Sequence, residues 1–225
     1  MLKAIIFDFD GVITDSEILH FRTFNQVLTQ FDYQIGKANY YQHFLGLTDK
    51  DCFQTLIDEG HLPVEKSHIP ELVDQKKKIL QRLAETEGAL IEGVRPFLEM
   101  LVEHQVLLGV CSGALLAEIE YVLNEANIRR HFTTLVAADH VTVGKPHPEG
   151  YRLALAHLRE SDERINAANT LAIEDARWGL VAARAAGLRT LAVTNSYPKD
   201  QLGMADSIVD RLDALTMDDL HQLCR

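Results

Sequence analysis

Leu2-Lys3-Ala4-Ile5-Ile6-Phe7-Asp8-Phe9-Asp10-Gly11-Val12-Ile13-Thr14-Asp15-Ser16-Glu17 is the stretch on which the reading of the chain turns. Ala4 to Phe7 form a short continuous apolar run without helical period, bounded by charge and then by Gly11. A strand buried on both faces reads this way. Asp8 and Asp10 follow directly, and Gly11 permits a sharp turn after them. Strand side chains alternate faces, so positions i and i+2 point the same way. The two carboxylates are therefore expected together in one crevice at the carboxyl end of the strand, where open parallel sheets place their ligand sites. Two like charges held close need a cation or a shared proton to relieve their repulsion. The pair asks for a metal ion or for acid–base work, unless Asp-Phe-Asp-Gly is simply an acidic turn.

The 225 residues suffice for one large domain or two modest ones. Lys plus Arg (22) against Asp plus Glu (33) leaves a net charge of −11, which disfavours nucleic acid or an anionic membrane as partner. A small anionic substrate stays compatible, because a local pocket can oppose the global sign. No apolar run approaches the roughly 20 residues of a membrane span, and the acids at the N-terminus do not suit a signal peptide. Cys52, Cys111 and Cys224 are odd in number and scattered, which argues against a disulfide framework or a structural zinc site. The expected compartment is the reducing cytoplasm. Oligomeric state is not readable, and a monomer is compatible with everything above.

From Ser16 to about Glu87 the pattern is helical throughout. Ile18, Phe21, Phe24 and Leu28 recur at helical spacing, Thr48-Asp49 reads as a helix start, Gly60 as a stop, and Leu72 to Leu83 continue the period. From Leu90 onward helices alternate with short strands. Strands are expected at Val106–Cys111, Leu135–Ala138, Leu171–Ile173, Thr190–Val193 and near Ile208. Helices are expected at Pro96–Glu103, Leu115–Asn124, Glu149–His157 and Trp178–Ala186. This alternation predicts an α/β fold with a doubly wound parallel sheet. One strand precedes the helical region and the rest follow it, so the helices form an insertion. The expected division is a core of residues 1–15 and 88–225 with a helical subdomain of roughly four helices over 16–87. The insertion leaves from the carboxyl end of the first strand, the position of a lid.

Four stations fall at or just after strand ends: Asp8/Asp10, Ser112, Lys145 and Glu174/Asp175. Each has a structural alternative. Ser112 can cap a helix, Lys145 between Gly144 and Pro146 can be a solvated loop lysine, and Glu174-Asp175 can complement a helix dipole. Taken together, two acid pairs, a hydroxyl and a lysine are what phosphoryl transfer needs: acids to hold a divalent cation, and cationic and hydroxyl donors to neutralise phosphoryl oxygens.

Phe7-Asp8-Phe9-Asp10-Gly11-Val12 with Asp15, then Ser112, Lys145-Pro146, and Glu174-Asp175 followed by Gly179, Ala182-Ala183 and Ala186-Gly187, resemble the motif series of the haloacid dehalogenase (HAD) superfamily. The likeness spans nearly the whole chain, in the family's order, and is nearest to the β-phosphoglucomutase and phosphoglycolate phosphatase group. It implies a HAD-like, Rossmannoid core with an inserted helical cap and a Mg²⁺-dependent phosphatase acting on a small phosphomonoester. By this resemblance Asp8 is the nucleophile that forms an aspartyl-phosphate and Asp10 the general acid/base. The metal is held by the Asp8 and Asp175 carboxylates and the Asp10 carbonyl, with Glu174 at or next to the metal. Ser112 and Lys145 hold the transferring phosphoryl group, assisted by main-chain N–H groups of the Phe9–Gly11 turn and of Gly113.

In the insertion, His20 matches a position that in the mutases helps gate the acid/base, and Phe44-Leu45-Gly46-Leu47-Thr48 resembles a substrate-specificity loop, which makes Gly46 and Thr48 candidate substrate contacts. His20 can equally be an ordinary helix-surface residue. Where mutases carry basic residues for a second phosphate, this chain has Leu45 and Asp49, and Gly113-Ala114-Leu115 lacks the mutases' basic and amide groups. These departures favour hydrolysis over a phosphomutase reaction. Lys76-Lys77-Lys78 is expected to be a solvated helix face. A receiver-type phospho-accepting signalling module shares the residue types but is about half this length and has no insertion.

Overall fold

The computed structural model describes residues 1–44, 47–87 and 90–224, without the side chains of 16–18, 38, 81 and 84–87. The chain forms two compact units, Met1–Asp15 with Leu90–Arg225, and Ser16–Ala89.

The first unit is built on six parallel strands: β1 (Ala4–Phe7), β2 (Leu107–Cys111), β3 (Phe132–Val136), β4 (Thr170–Glu174), β5 (Arg189–Val193) and β6 (Ser207–Val209). Their order across the sheet is β3-β2-β1-β4-β5-β6. The chain winds outward from β1 to one side and then returns to build the other, so the winding reverses between β1 and β4. In a doubly wound sheet, that reversal opens a crevice beyond the carboxyl ends of the two central strands. All four β1 residues are fully buried because the sheet is covered on both faces. Ile5 and Phe7 join a cluster with Phe97, Leu101 and Leu123, and the Phe7 ring meets Phe97 and Phe132 edge-on at centroid distances of 6.2 and 6.0 Å. Ala4 and Ile6 face the opposite layer with Tyr151, Ala154 and Leu158. Helices α5 (Val94–Glu103), α6 (Leu116–Glu125), α7 (Glu149–Ser161), α8 (Arg177–Ala185) and α9 (Met217–Leu223) complete this unit.

The expected strands are all present, with shifted ends. The largest shift is in β3, which begins at Phe132 instead of Leu135. Thr133 is exposed and the Thr134 hydroxyl bonds His157 at 2.9 Å, so the polar start of this edge strand hides its character. Helix α9 has no counterpart in the sequence reading. Its start is a Thr216–Asp219 cap, and only Leu220 and Cys224 of this segment are buried.

The second unit contains α1 (Ser16–Leu28), α2 (Lys37–His43), α3 (Asp49–Asp58) and α4 (Ile69–Glu87). Phe24, Tyr40, Phe44, Phe53 and Leu56 form its core, with the Phe24 and Phe53 rings 5.1 Å apart. The Lys76-Lys77-Lys78 run is not uniformly solvated. Lys77 and Lys78 are exposed, but Lys76 is fully buried, ion-paired to Asp49 and within 4.3 Å of the Phe24 ring centroid. A buried ammonium is tolerated only with a counter-charge and hydrogen bonds; Asp49 and the His20 ring, whose Nδ1 lies 2.8 Å from Lys76 Nζ, supply them.

Entry to and exit from the insertion run side by side at the edge of the first unit. Thr14 and Leu90 form an antiparallel bridge, and Ile91 N–H donates to the Ile13 carbonyl at 3.0 Å.

Candidate active site

The site assembles at the reversal between β1 and β4. The strand β1 ends at Phe7, but the ladder continues one step, with Asp8 N–H donating to the Ile173 carbonyl at 2.8 Å. This step sets Asp8 beside Glu174 and Asp175 at the end of β4. Ligand atoms of these three acids lie within 4.8 Å of one another, and all three residues are buried. Asp10 is placed differently from expectation. The strand has already ended, so strand alternation does not direct it; it sits in the turn and is exposed. The turn fixes its carbonyl. Gly11, at φ +78°, donates its N–H to the Thr14 carbonyl at 2.7 Å. In a planar trans peptide the Asp10 C=O must then point the opposite way. The Gly11 N–H is thus not available to a phosphoryl group, which corrects one expected substrate contact. Gly11 is instead required for space: a Cβ there would stand 1.8 Å from Asp175 Oδ2. Phe9 packs its side chain into the core, leaving only its main chain for a ligand.

Lys145 bridges the acids. Its Nζ donates to Asp8 Oδ1 at 2.5 Å and to Glu174 Oε1 at 2.7 Å. The loop that carries it is pinned from the start of α7, where the Glu149 carboxylate accepts from Thr142 and Val143 N–H groups at 2.8 and 3.1 Å. Glu174 is 1% exposed and accepts a second bond on Oε1 from Tyr151 Oη at 2.5 Å. Tyr151 is itself fully buried, with its ring centroid 5.3 Å from Lys145 Nζ. The Glu174 carboxylate fits only because Gly179 has no side chain; a Cβ there would lie 2.0 Å from it.

Burial works against the Lys145 charge, but Asp8 and Glu174 outweigh it and hold its pKa above the usual lysine range. Burial pushes the Glu174 carboxyl up, Lys145 pulls it back, and the net direction is upward. Asp175 is pushed up to about 6, by burial first and by the Asp8 charge second. Three acids against one ammonium leave an excess of negative charge in a buried site. A hard divalent cation with oxygen ligands suits that donor set, and Mg²⁺ in particular needs few protein ligands. Burial of the neighbouring Cys111 thiol pushes it up to about 12, so it is not a nucleophile.

Ser112 extends the β2 end, its N–H donating to the Val136 carbonyl at 2.9 Å. Its hydroxyl accepts from Ala114 N–H at 3.0 Å, which shapes the turn, but α6 starts at Leu116, so Ser112 does not cap that helix. Ser112, Gly113 and Lys145 line one cavity of about 360 Å³, together with Val143 and His147.

His20 and Thr48 belong to the second unit. His20 is engaged with Lys76. Thr48 caps α3, accepting from Asp51 N–H at 3.2 Å and donating to Asp51 Oδ2 at 2.7 Å, which accounts for this residue without a substrate. Gly46 lies outside the described residues. Tyr151 was missed in the sequence reading, because a tyrosine in an amphipathic helix carries no mark of the carboxylate its hydroxyl meets.

The model of the haloacid dehalogenase-like hydrolase family matches residues 5–193. β-Phosphoglucomutase of Bacillus subtilis is 28% identical over 225 residues, covering 98% of this chain and 95% of its own. Hexitol phosphatase B of Escherichia coli is 28% identical over 223 residues, covering 97% and 96%. The structure of CbbY from Rhodobacter sphaeroides, solved in complex with phosphate, superposes with a TM-score of 0.65 at 25% identity, covering 98% of this chain and all of that one.

Proposed function

Because the chain belongs to the haloacid dehalogenase-like hydrolase family, we propose that it is a Mg²⁺-dependent phosphatase that hydrolyses a small phosphorylated metabolite, a sugar phosphate or similar, through an aspartyl-phosphate on Asp8. The observation that carries this reading is the bridge of Lys145 between Asp8 and Glu174, with Asp175 alongside. It brings three acids and one ammonium together, which supports a carboxylate nucleophile, a cationic donor and a cation site at one place.

Asp8, Glu174 and Asp175 are the side chains that would hold the cation, with the Asp10 carbonyl turned outward by the Gly11 bond to Thr14. Mg²⁺ would screen the phosphoryl charge from the attacking carboxylate. An Asp8 oxygen forms the bond to phosphorus as the substrate's ester oxygen departs, and Asp10 gives that oxygen its proton. Asp10 then takes a proton from the water that attacks the acyl-phosphate, which releases inorganic phosphate and frees Asp8. Lys145 and Ser112 donate to the equatorial oxygens as charge shifts onto them.

Hydrolysis is favoured over phosphoryl shuttling by Asp49. A mutase must hold a second phosphate, and here Asp49 is an acid already paired with Lys76. The test is a phosphate-release screen against sugar phosphates, hexitol phosphates, phosphoglycolate and nucleotides with Mg²⁺. Stoichiometric phosphate without a bisphosphate activator is expected. Isomerised sugar phosphate with no free phosphate would replace this reading with the mutase, and silence in Mg²⁺ across the panel would overturn it.

A further inference from the structure

The acid cluster lies at the ends of β1 and β4, and the next strand in the sheet, β5, runs out into Thr194-Asn195-Ser196-Tyr197. This segment belongs to none of the four stations. Asn195 and Ser196 are both exposed, yet each turns a side chain toward the frame of the cluster. Asn195 Nδ2 donates to the Gly11 carbonyl at 2.8 Å, across 184 residues of sequence. The Ser196 hydroxyl lies close to the Asp175 carboxylate and favours its charged form. The spacing around Gly11 agrees independently: a Cβ at that position would meet both Asp175 Oδ2, at 1.8 Å, and Ser196 Oγ, at 2.7 Å. The turn after β1, the acid after β4 and the loop after β5 therefore converge on one point.

We propose that Asn195 and Ser196 are positioning residues for the cation, a latch by which the β5 loop ties the Gly11 turn to Asp175 and sets that carboxylate's orientation toward Asp8. This inference rests on the reading of Asp8, Glu174 and Asp175 as a cation site. A carboxylate at a strand end can rotate about its side-chain bonds, and a donor on one lone pair fixes the direction of the others. The Gly11 peptide groups are fixed on both sides, the N–H by Thr14 and the carbonyl by Asn195. The Asp10 carbonyl, which shares a peptide plane with the Gly11 N–H, is held by the same turn. Loss of the latch should loosen the cation without disturbing the core, because both side chains are at the surface.

The test is a titration of the metal-free full-length chain with MgCl₂, followed by calorimetry and by tryptophan fluorescence. Trp178 is the one tryptophan of the sequence and lines a surface cleft of about 560 Å³ together with Tyr197, next to Ser196. Ser196→Ala is expected to weaken Mg²⁺ binding by about tenfold, while Ser196→Thr, which keeps the hydroxyl, retains it. Asn195→Ala should weaken it by a smaller factor, and the unfolding midpoint of each metal-free variant should stay within about 2 °C of the parent. Parental Mg²⁺ affinity in Ser196→Ala overturns the latch and leaves the cation site standing. A matching loss of metal-free stability in Ser196→Ala would make the bond a loop brace and also overturn it. Absence of Mg²⁺ binding by the parent chain overturns the cation-site reading itself.

Discussion

Each unit of this molecule buries charge, and the two do so in opposite ways. In the helical unit the fully buried Lys76 is paired, among the described residues, with the carboxylate of Asp49 and bonded to the His20 ring, so one acid meets one ammonium. In the α/β unit Lys145 meets Asp8 and Glu174 with Asp175 beside them, so three acids share one ammonium. A balanced buried pair satisfies itself and mainly holds its surroundings in one arrangement. An unbalanced one keeps a demand for positive charge, which a cation and the chemistry around it can meet. The imbalance, more than the number of acids, separates the candidate site from the structural cluster.

The comparison breaks most sharply at the nucleophile. Asp8→Asn removes one charge from the unbalanced cluster with almost no change in shape. It should lower phosphate release on the order of 10³-fold or more, with the chain still folded. Near-parental release, measured with the best substrate of the panel, would mean that the charge excess has no catalytic meaning. In the balanced cluster the same kind of change should strike stability. Asp49→Asn leaves Lys76 buried without a counter-charge and should cost about 3 kcal/mol in urea unfolding, whereas the double change with Lys76→Met should recover most of that. A double variant as unstable as the single one would show that Asp49 does something other than neutralise Lys76.

The third test uses pH. Asp175 has a folded-state pKa raised to about 6 by burial and by Asp8. A raised carboxyl favours the folded state while protonated, so that contribution is fully present below its unfolded value and is lost as pH rises toward about 6. Without divalent cation the cluster should therefore become less stabilising by about 2 kcal/mol between pH 4 and pH 6. Mg²⁺ should offset this, and its effect on the unfolding midpoint should grow over the same interval. A Mg²⁺ effect that is flat with pH would place the cation elsewhere. Smallest of all, Tyr151→Phe removes only the hydroxyl on Glu174 Oε1; it should cost about 1 kcal/mol and lower turnover about fivefold. No change in either would make the Tyr151 bond incidental.

Much of the core site was legible because phosphoryl chemistry needs acids, a hydroxyl and a lysine at strand ends, and local patterns reveal where strands end. Asp8, Lys145, Glu174 and Asp175 do come together, and Ser112 and Gly113 line a cavity with Lys145. Less was legible where the decisive contact is remote. Lys76 reads as one of three like lysines, and only packing of α4 against α1, with Asp49 nearby, separates it from Lys77. Tyr151 reads as core, and Asn195-Ser196 as an unremarked loop. Thr48 was legible as a helix start, and it caps α3 as that reading expects.

The sequence by itself determined the α/β class, the insertion after the first strand and the acid and lysine stations, because periodicity, turn residues and strand-end chemistry are local properties. Tertiary structure alone decided which charges are balanced, why Gly11 and Gly179 must lack side chains, and which strand end reaches across to Asp175. Those are matters of distance between segments up to 184 residues apart, and a pattern that repeats every two or four residues carries no information about them.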